Sequence, residues 1–221
     1  MKLWLTISQV SIKPFFCALM LGMIVSSISS PLYAANSSSG NIGPVAGQDY
    51  ELLEDNAVSE SAQITLYCWL GSKGCYLFEM ALVAWAEQNA LEVTYIPLIK
   101  RPTWRRLAKA QLVAQQLAIA PEFNRLINQH LHEQQQPIDS DERLFELVAT
   151  IDTSASRFAN LFYSAETNLA INELQLQANN NRVEGVPTVV VNNRWLIDAR
   201  MHTTSRGMLN TVADLLAIEK P

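Results

Sequence analysis

The chain has 221 residues, 16 lysines and arginines against 21 aspartates and glutamates, and a formal net charge of −5. A mildly acidic chain with no basic patch argues against nucleic acid as a partner. No metal or other cofactor is expected: His130 and His132 stand two apart, His202 is remote, and no Cys-His spacing fits a zinc site.

The first segment reads as a targeting signal. Lys2 and Lys13 precede an apolar stretch from Phe15 to Val25, followed by serines and Pro31-Leu32-Tyr33-Ala34-Ala35. That order predicts a secretory signal peptide over residues 1–34, cleaved after Ala34. The apolar stretch falls short of the ~20 residues a bilayer span requires; a retained anchor is the alternative. Cys17 follows Pro14-Phe15-Phe16 rather than a small residue, which disfavours a lipoprotein. Cleavage removes Lys2 and Lys13 and no acid, so the charge becomes −5 − 2 = −7. The remaining cysteines, Cys68 and Cys75, then reside where disulfides persist.

Residues 35–47 form a polar, Ser- and Gly-containing lead-in. Tyr50 to Glu54 is a short strand candidate. Ile64 to Leu70 is β-prone and apolar enough for a core strand. Beyond it, Cys75, Phe78, Leu82 and Trp85 recur at helical spacing, so a helix from Tyr76 to Gln88 buries that face. Leu91 to Leu98 reads as a second core strand, and strand-helix-strand in this order predicts a parallel βαβ unit.

Residues 102–183 change to a Leu-, Ala-, Gln- and Asn-rich composition with helical periodicity. Breaks fall near Ala120-Pro121, Gln136-Pro137 and Asp152-Thr153-Ser154, and Asp139-Ser140-Asp141 marks a helix start before Glu142 to Thr150. Four or more helices are expected here. Arg101, Arg105, Arg106 and Lys109 read as a solvated helix face. Strand character returns at Pro187 to Val191 and at Arg194 to Ile197, with Asn192-Asn193 as a hairpin turn. An amphipathic helix from Ser205 to Ile218 ends the periodic pattern.

Two separated segments then carry a resemblance. Cys68-Trp69-Leu70-Gly71-Ser72-Lys73-Gly74-Cys75-Tyr76-Leu77-Phe78-Glu79 and Glu184-Gly185-Val186-Pro187-Thr188-Val189-Val190-Val191-Asn192 resemble the bacterial periplasmic DsbA-like thiol:disulfide oxidoreductase family. Members of that family have a strand leading into C-P-H-C-Y-x-F-E and later G-V-P-x-x-x-V-N-G. The resemblance implies an α/β, thioredoxin-like fold with an all-helical insertion. Residues 48–101 form its first part, 102–183 the insertion and 184–218 its second part. It also implies a periplasmic location, a cis bond before Pro187, and a backbone edge at Val186-Pro187 that takes extended polypeptide.

Ser72 is the departure. The resemblance puts the family's exposed nucleophilic cysteine at this position and its resolving cysteine at Cys75. A serine hydroxyl stays protonated at ordinary pH and forms no disulfide, and no histidine in either motif offers a general base. Ser72 is better read as a helix N-cap accepting from the amide of Gly74 or Cys75. Cys68 and Cys75 have two readings: a disulfide if their Cα atoms come within ~7 Å, or, preferred here, two buried cysteines serving as small apolar side chains.

The preferred function is an exported DsbA-like protein with a degenerate S-x-x-C motif and impaired dithiol exchange. It would keep a groove for unfolded or cysteine-containing exported polypeptides, and a membrane redox partner is a further expectation. One alternative is an active oxidoreductase using Cys75 alone or a Cys68/Cys75 pair. Another is a non-catalytic interaction module.

Overall fold

The structure is a computed structural model that describes residues 43–53, 59, 61–151 and 155–218. The expected signal peptide, the start of the lead-in and the break at 152–154 lie outside the described residues. The strands are β1 (Glu51–Leu52), β2 (Ile64–Cys68), β3 (Val93–Pro97), β4 (Thr188–Val191) and β5 (Trp195–Asp198). The helices are α1 (Lys73–Gln88), α2 (Arg105–Gln116), α3 (Ala120–Asn128), α4 (Asp141–Val148), α5 (Ala155–Tyr163), α6 (Ala165–Asn180) and α7 (Ser205–Ile218).

The strands make one mixed sheet in the order β1-β5-β4-β2-β3. β2 and β3 run parallel, with Ile64 opposite Val93, and α1 supplies the crossover. The β2–β4, β4–β5 and β1–β5 pairings are antiparallel. This is the α/β arrangement expected, with helices inserted between two sheet-forming segments. β3 differs from its reading as a core strand: it lies at the sheet edge, with only Ile96 and Pro97 buried.

Alternation along β2 explains the two layers. Ile64, Leu66 and Cys68 face α1 and α7, packing with Phe78, Leu82, Val212 and Leu215. Tyr67 points to the other face and packs with Leu98, Ala178 and Val183 at the end of α6. Its hydroxyl accepts from Asn181 Nδ2 at 2.8 Å, satisfying a polar atom on an otherwise apolar surface. Full burial of Leu66, Phe78 and Leu82 contributes roughly 1.5–3 kcal/mol per side chain.

α1 begins earlier than its periodicity suggests, at Lys73, and buries Cys75, Phe78, Leu82 and Ala86. Ala86 thus takes the core position expected for Trp85, which packs only partly against the cluster. The hairpin turns where expected: Asn192 and Asn193 have φ of 50° and 55°, and Arg194 N donates to Val191 O at 2.9 Å. Positive φ at both central residues suits asparagine and matches the strand twist.

Between β3 and β4 the described residues hold five α-helices, of which α2 to α5 enclose a separate core of Leu107, Val113, Phe123, Leu144 and Phe158. Leu70, past the end of β2, belongs to this core and not to the face shared by Leu66 and Cys68. Pro121 proves to be a first-turn residue of α3, where its missing N–H costs nothing. The expected break lies just before it, at Leu117–Ile119, where Ala118 has φ 57°. The basic cluster is also not a uniformly solvated face. Arg106 Nε meets Asp141 Oδ1 at 2.7 Å, and Lys109 Nζ lies 4.4 Å from the Phe162 ring centroid. α3 continues as a π-helical turn, Gln129–Glu133, which brings His132 beside α1.

Candidate functional site

β2 ends at Cys68, and the chain must reverse through Trp69-Leu70-Gly71 to start α1. Trp69 lies flat on Trp104, with ring centroids 4.3 Å apart and planes 4° from parallel. Its ring passes where a side chain at position 71 would sit, so only glycine fits there. The Ser72 amide donates to Trp69 O at 2.9 Å, closing the turn.

Ser72 is the N-cap of α1. Its backbone is extended (φ −99°, ψ 116°), and its Oγ accepts from the Cys75 amide at 3.3 Å. Lys73 and Gly74 are exposed and Ser72 is half-buried, whereas Cys75 is 1% exposed. The Cys75 sulfur turns inward and forms a disulfide with Cys68, the Cα atoms 5.7 Å apart, and accepts from the Trp69 amide at 3.3 Å. The preferred reading of two unpaired cysteines is therefore corrected. Strand alternation aims Cys68 at the underside of α1, and helical spacing puts Cys75 directly above it. The sequence carries both spacings but not which sheet face the helix covers.

The second motif packs against the first. The Val186–Pro187 peptide is cis, Pro187 is buried and Val186 is half-buried. A Cβ on Gly74 would lie 3.7 Å from Ser72 Oγ and 3.9 Å from Pro187 Cδ, so the head of α1 and the proline loop are in van der Waals range. Pro187 O accepts from the Ala199 amide at 3.1 Å, and Thr188 Oγ1 donates to Gly185 O at 2.9 Å.

A residue pair that sequence reasoning missed fixes this loop from behind. Asp198 is buried and accepts from the Arg200 amide, from Arg200 Nε at 2.9 Å and from an Arg200 terminal nitrogen at 2.8 Å. Arg200 also reaches Glu184 at 2.9 Å. The two carboxylates hold the guanidinium pKa above its already high usual value. Nothing local in the sequence marks this clamp, although Asp-x-Arg at a strand end is a capping pattern in retrospect.

Beside Gly74 and Pro187 opens a cavity of about 200 Å³, lined also by Ala199, His202, Thr203 and Met208. His202, remote in sequence, therefore joins the site. Its Nε2 lies 3.0 Å from Asp49 O. On the other flank, His132 Nε2 donates to Leu70 O at 2.8 Å and its ring stacks on Tyr76, whose hydroxyl donates to Glu133. Among the described residues no histidine hydrogen-bonds to Ser72. Among the same residues no three His, Cys, Asp or Glu side chains converge to hold a metal.

Chemically, this is a capped helix head facing a buried cis-proline loop, with a disulfide beneath it and an alcohol at its surface. The DSBA-like thioredoxin domain family model matches residues 39–209. The thiol:disulfide interchange protein DsbA of Burkholderia cepacia is 21% identical over 174 residues, 76% of this chain and 82% of that protein. Its counterpart in Pseudomonas aeruginosa PAO1 is 23% identical over 158 residues, 69% and 75% of the two chains. Among solved structures, the oxidoreductase DsbA of Xylella fastidiosa superposes with TM-score 0.71 at 22% identity, over 80% of this chain and 97% of that one. A cysteine-to-serine variant of Proteus mirabilis DsbA, with a non-covalently bound peptide PWATCDS, superposes with TM-score 0.64 at 16% identity, over 78% and 96%.

Proposed function

The chain belongs to the DSBA-like thioredoxin domain family, and from that premise we propose that it is an exported, periplasmic polypeptide-binding member whose dithiol exchange is lost or strongly impaired. Ser72 stands for the attacking cysteine, and Cys75 has become half of a structural disulfide. Exchange begins when a thiolate attacks a disulfide sulfur, which requires access to that sulfur. The observation carrying this reading is burial: Cys68 is 0% exposed and Cys75 1%, behind a hydroxyl that caps the helix.

What the site retains is a place for extended polypeptide. The Val186 backbone, the cavity beside Pro187 and the exposed Gly74 offer a surface for a cysteine-containing segment without requiring chemistry on it. The Proteus mirabilis variant, a cysteine-to-serine protein holding a peptide non-covalently, supports binding without exchange as a coherent function for this fold. Catalysed insulin reduction and oxidation of a reduced client test the reading. Background rates are expected for the wild type; turnover comparable to an active disulfide oxidase would overturn it. Ser72→Cys in a Cys68→Ala background is expected to create measurable exchange.

The disulfide itself favours a second reading, an active oxidoreductase using the displaced Cys68/Cys75 pair. A client thiolate would attack one sulfur, the S–S bond would break, and the electron pair would leave on the other sulfur. A second client thiol would then complete the client disulfide, leaving both protein cysteines as thiols. Mass analysis with and without mild reductant, followed by alkylation under native conditions, separates the two. A pair reduced and alkylated only after denaturation excludes the active reading.

A further inference from the structure

The two flanks of α1 face different surfaces. Gly74 and Tyr76 are ~200° apart around the helix; Gly74 borders the proline cavity, whereas Tyr76 borders a larger groove of about 770 Å³ between α1 and α3. The lip of this groove is apolar and open to solvent: Met80 is 56% exposed and Val83 37%. Pro121 of α3 forms part of the opposite wall.

Its charged groups are mostly acidic, among neutral amides and phenols. Glu79, Glu87 and Glu133 line it against one cation, Arg125. Glu79 is half-buried, its Oε1 accepting from Asn124 Nδ2 at 3.0 Å. Burial pushes its carboxyl up to about 7, against the lowering effect of the Asn124 hydrogen bond. Nearby, the buried Asn128 Oδ1 has no hydrogen-bond partner. A groove with apolar lips, surplus carboxyl groups and an unmatched acceptor lacks a counterpart of opposite character.

We propose that the α1/α3 groove binds a polypeptide partner through a lysine or arginine flanked by apolar residues, the cation meeting Glu79 and the apolar side chains covering Met80 and Val83. A docked cation gives Glu79 the charge partner that burial denies it, which makes the contact a charge-assisted one. The apolar neighbours cover lip surface that otherwise stays in water. This site does not depend on the Val186–Pro187 edge, and the two can be occupied or lost separately.

The test uses the full exported protein, isotope-labelled for amide NMR, with two probes: acetyl-Ala-Leu-Arg-Leu-Ala-amide and the same peptide with glutamine for arginine. The arginine peptide is expected to shift the amides of Val83, Asn124 and Asn128 and to bind at least about tenfold tighter than the glutamine peptide. Glu79→Gln removes the charge with little change of shape, and Met80→Lys puts a competing cation on an exposed lip. Each is expected to weaken the arginine peptide about tenfold while leaving the spectrum folded and the Gly74 and Pro187 region unaffected. Equal affinity for the two peptides, binding of neither, or indifference to both substitutions overturns the proposal. Amide shifts confined to Gly74, Val186 and His202 also overturn it, assigning the peptide to the proline edge. Loss or survival of insulin turnover leaves this outcome unchanged, so the two readings fail separately.

Discussion

Ser72 and Cys75 share one hydrogen bond yet point their side chains in opposite senses. The Ser72 hydroxyl oxygen accepts the Cys75 amide at the head of α1, while the Cys75 sulfur turns into the core and bonds to Cys68. The helix start therefore presents oxygen to solvent and keeps its sulfur inside.

Replacing the cap measures the first half of that arrangement. Ser72→Ala removes the oxygen and strands an amide of the first turn, which should lower stability by about 1 kcal/mol. Ser72→Asp keeps an acceptor and adds a charge favoured at a helix N-terminus, so it should match or exceed the wild type. Urea midpoints of the two variants decide this; equal losses in both would show that the cap contributes nothing.

The disulfide closes a short loop, with a sequence separation of 7. Chain-entropy scaling for a loop of that size predicts about 2.5 kcal/mol of stabilisation. Cys68→Ala/Cys75→Ala should fall by that order, somewhat more if the shortened side chains leave a void. Wild-type protein unfolded in reductant should lose a similar amount. A double variant as stable as the oxidised wild type contradicts a structural bond.

Glu79 sets a pH dependence. Its folded pKa is about 7, raised from 4.5 mainly by burial. Between those values the unfolded chain has released the proton and the folded chain has kept it, so stability falls as pH rises through this window and levels off above about 7. Glu79→Gln, uncharged at every pH, should flatten that part of the profile. Chemical denaturation at about pH 5 and about pH 8 measures it, and an unchanged slope in the variant would assign the effect elsewhere.

Gly74 separates stability from binding. A methyl group there meets Ser72 Oγ and Pro187 Cδ at ordinary contact distances, 3.7 and 3.9 Å, so Gly74→Ala should fold well and gain up to about 1 kcal/mol of helix propensity. Gly74→Leu projects further toward the cavity beside Pro187 and should weaken client binding severalfold while the protein remains folded. Fluorescence anisotropy with an unfolded, cysteine-containing client provides the measurement. Unimpaired binding by the leucine variant would remove this cavity from the client site.

How much of this was legible follows from distance along the chain. β2, α7 and the Asn192-Asn193 hairpin were readable because each depends on its own periodicity or turn residues. The Ser72 cap was readable for the same reason. Pro121 marked the break near α3 without fixing its side, because a proline has opposite meanings at a helix's first turn and in its interior. Trp85 and Ala86 are adjacent on the helix, and their order in the core depends on the sheet surface beneath them. The Cys68–Cys75 bond, the Glu184–Arg200 contact and the arrival of His202 beside Pro187 all require knowing which elements meet. No local pattern contains that.

The stacked indoles of Trp69 and Trp104 join the turn before α1 to the short 3-10 segment, Pro102–Trp104, that opens the helical block. Two such chromophores in parallel contact couple their transitions and give the molecule an intrinsic optical signal. A change in the Trp69–Trp104 stack is expected to alter the near-ultraviolet circular dichroism without a label.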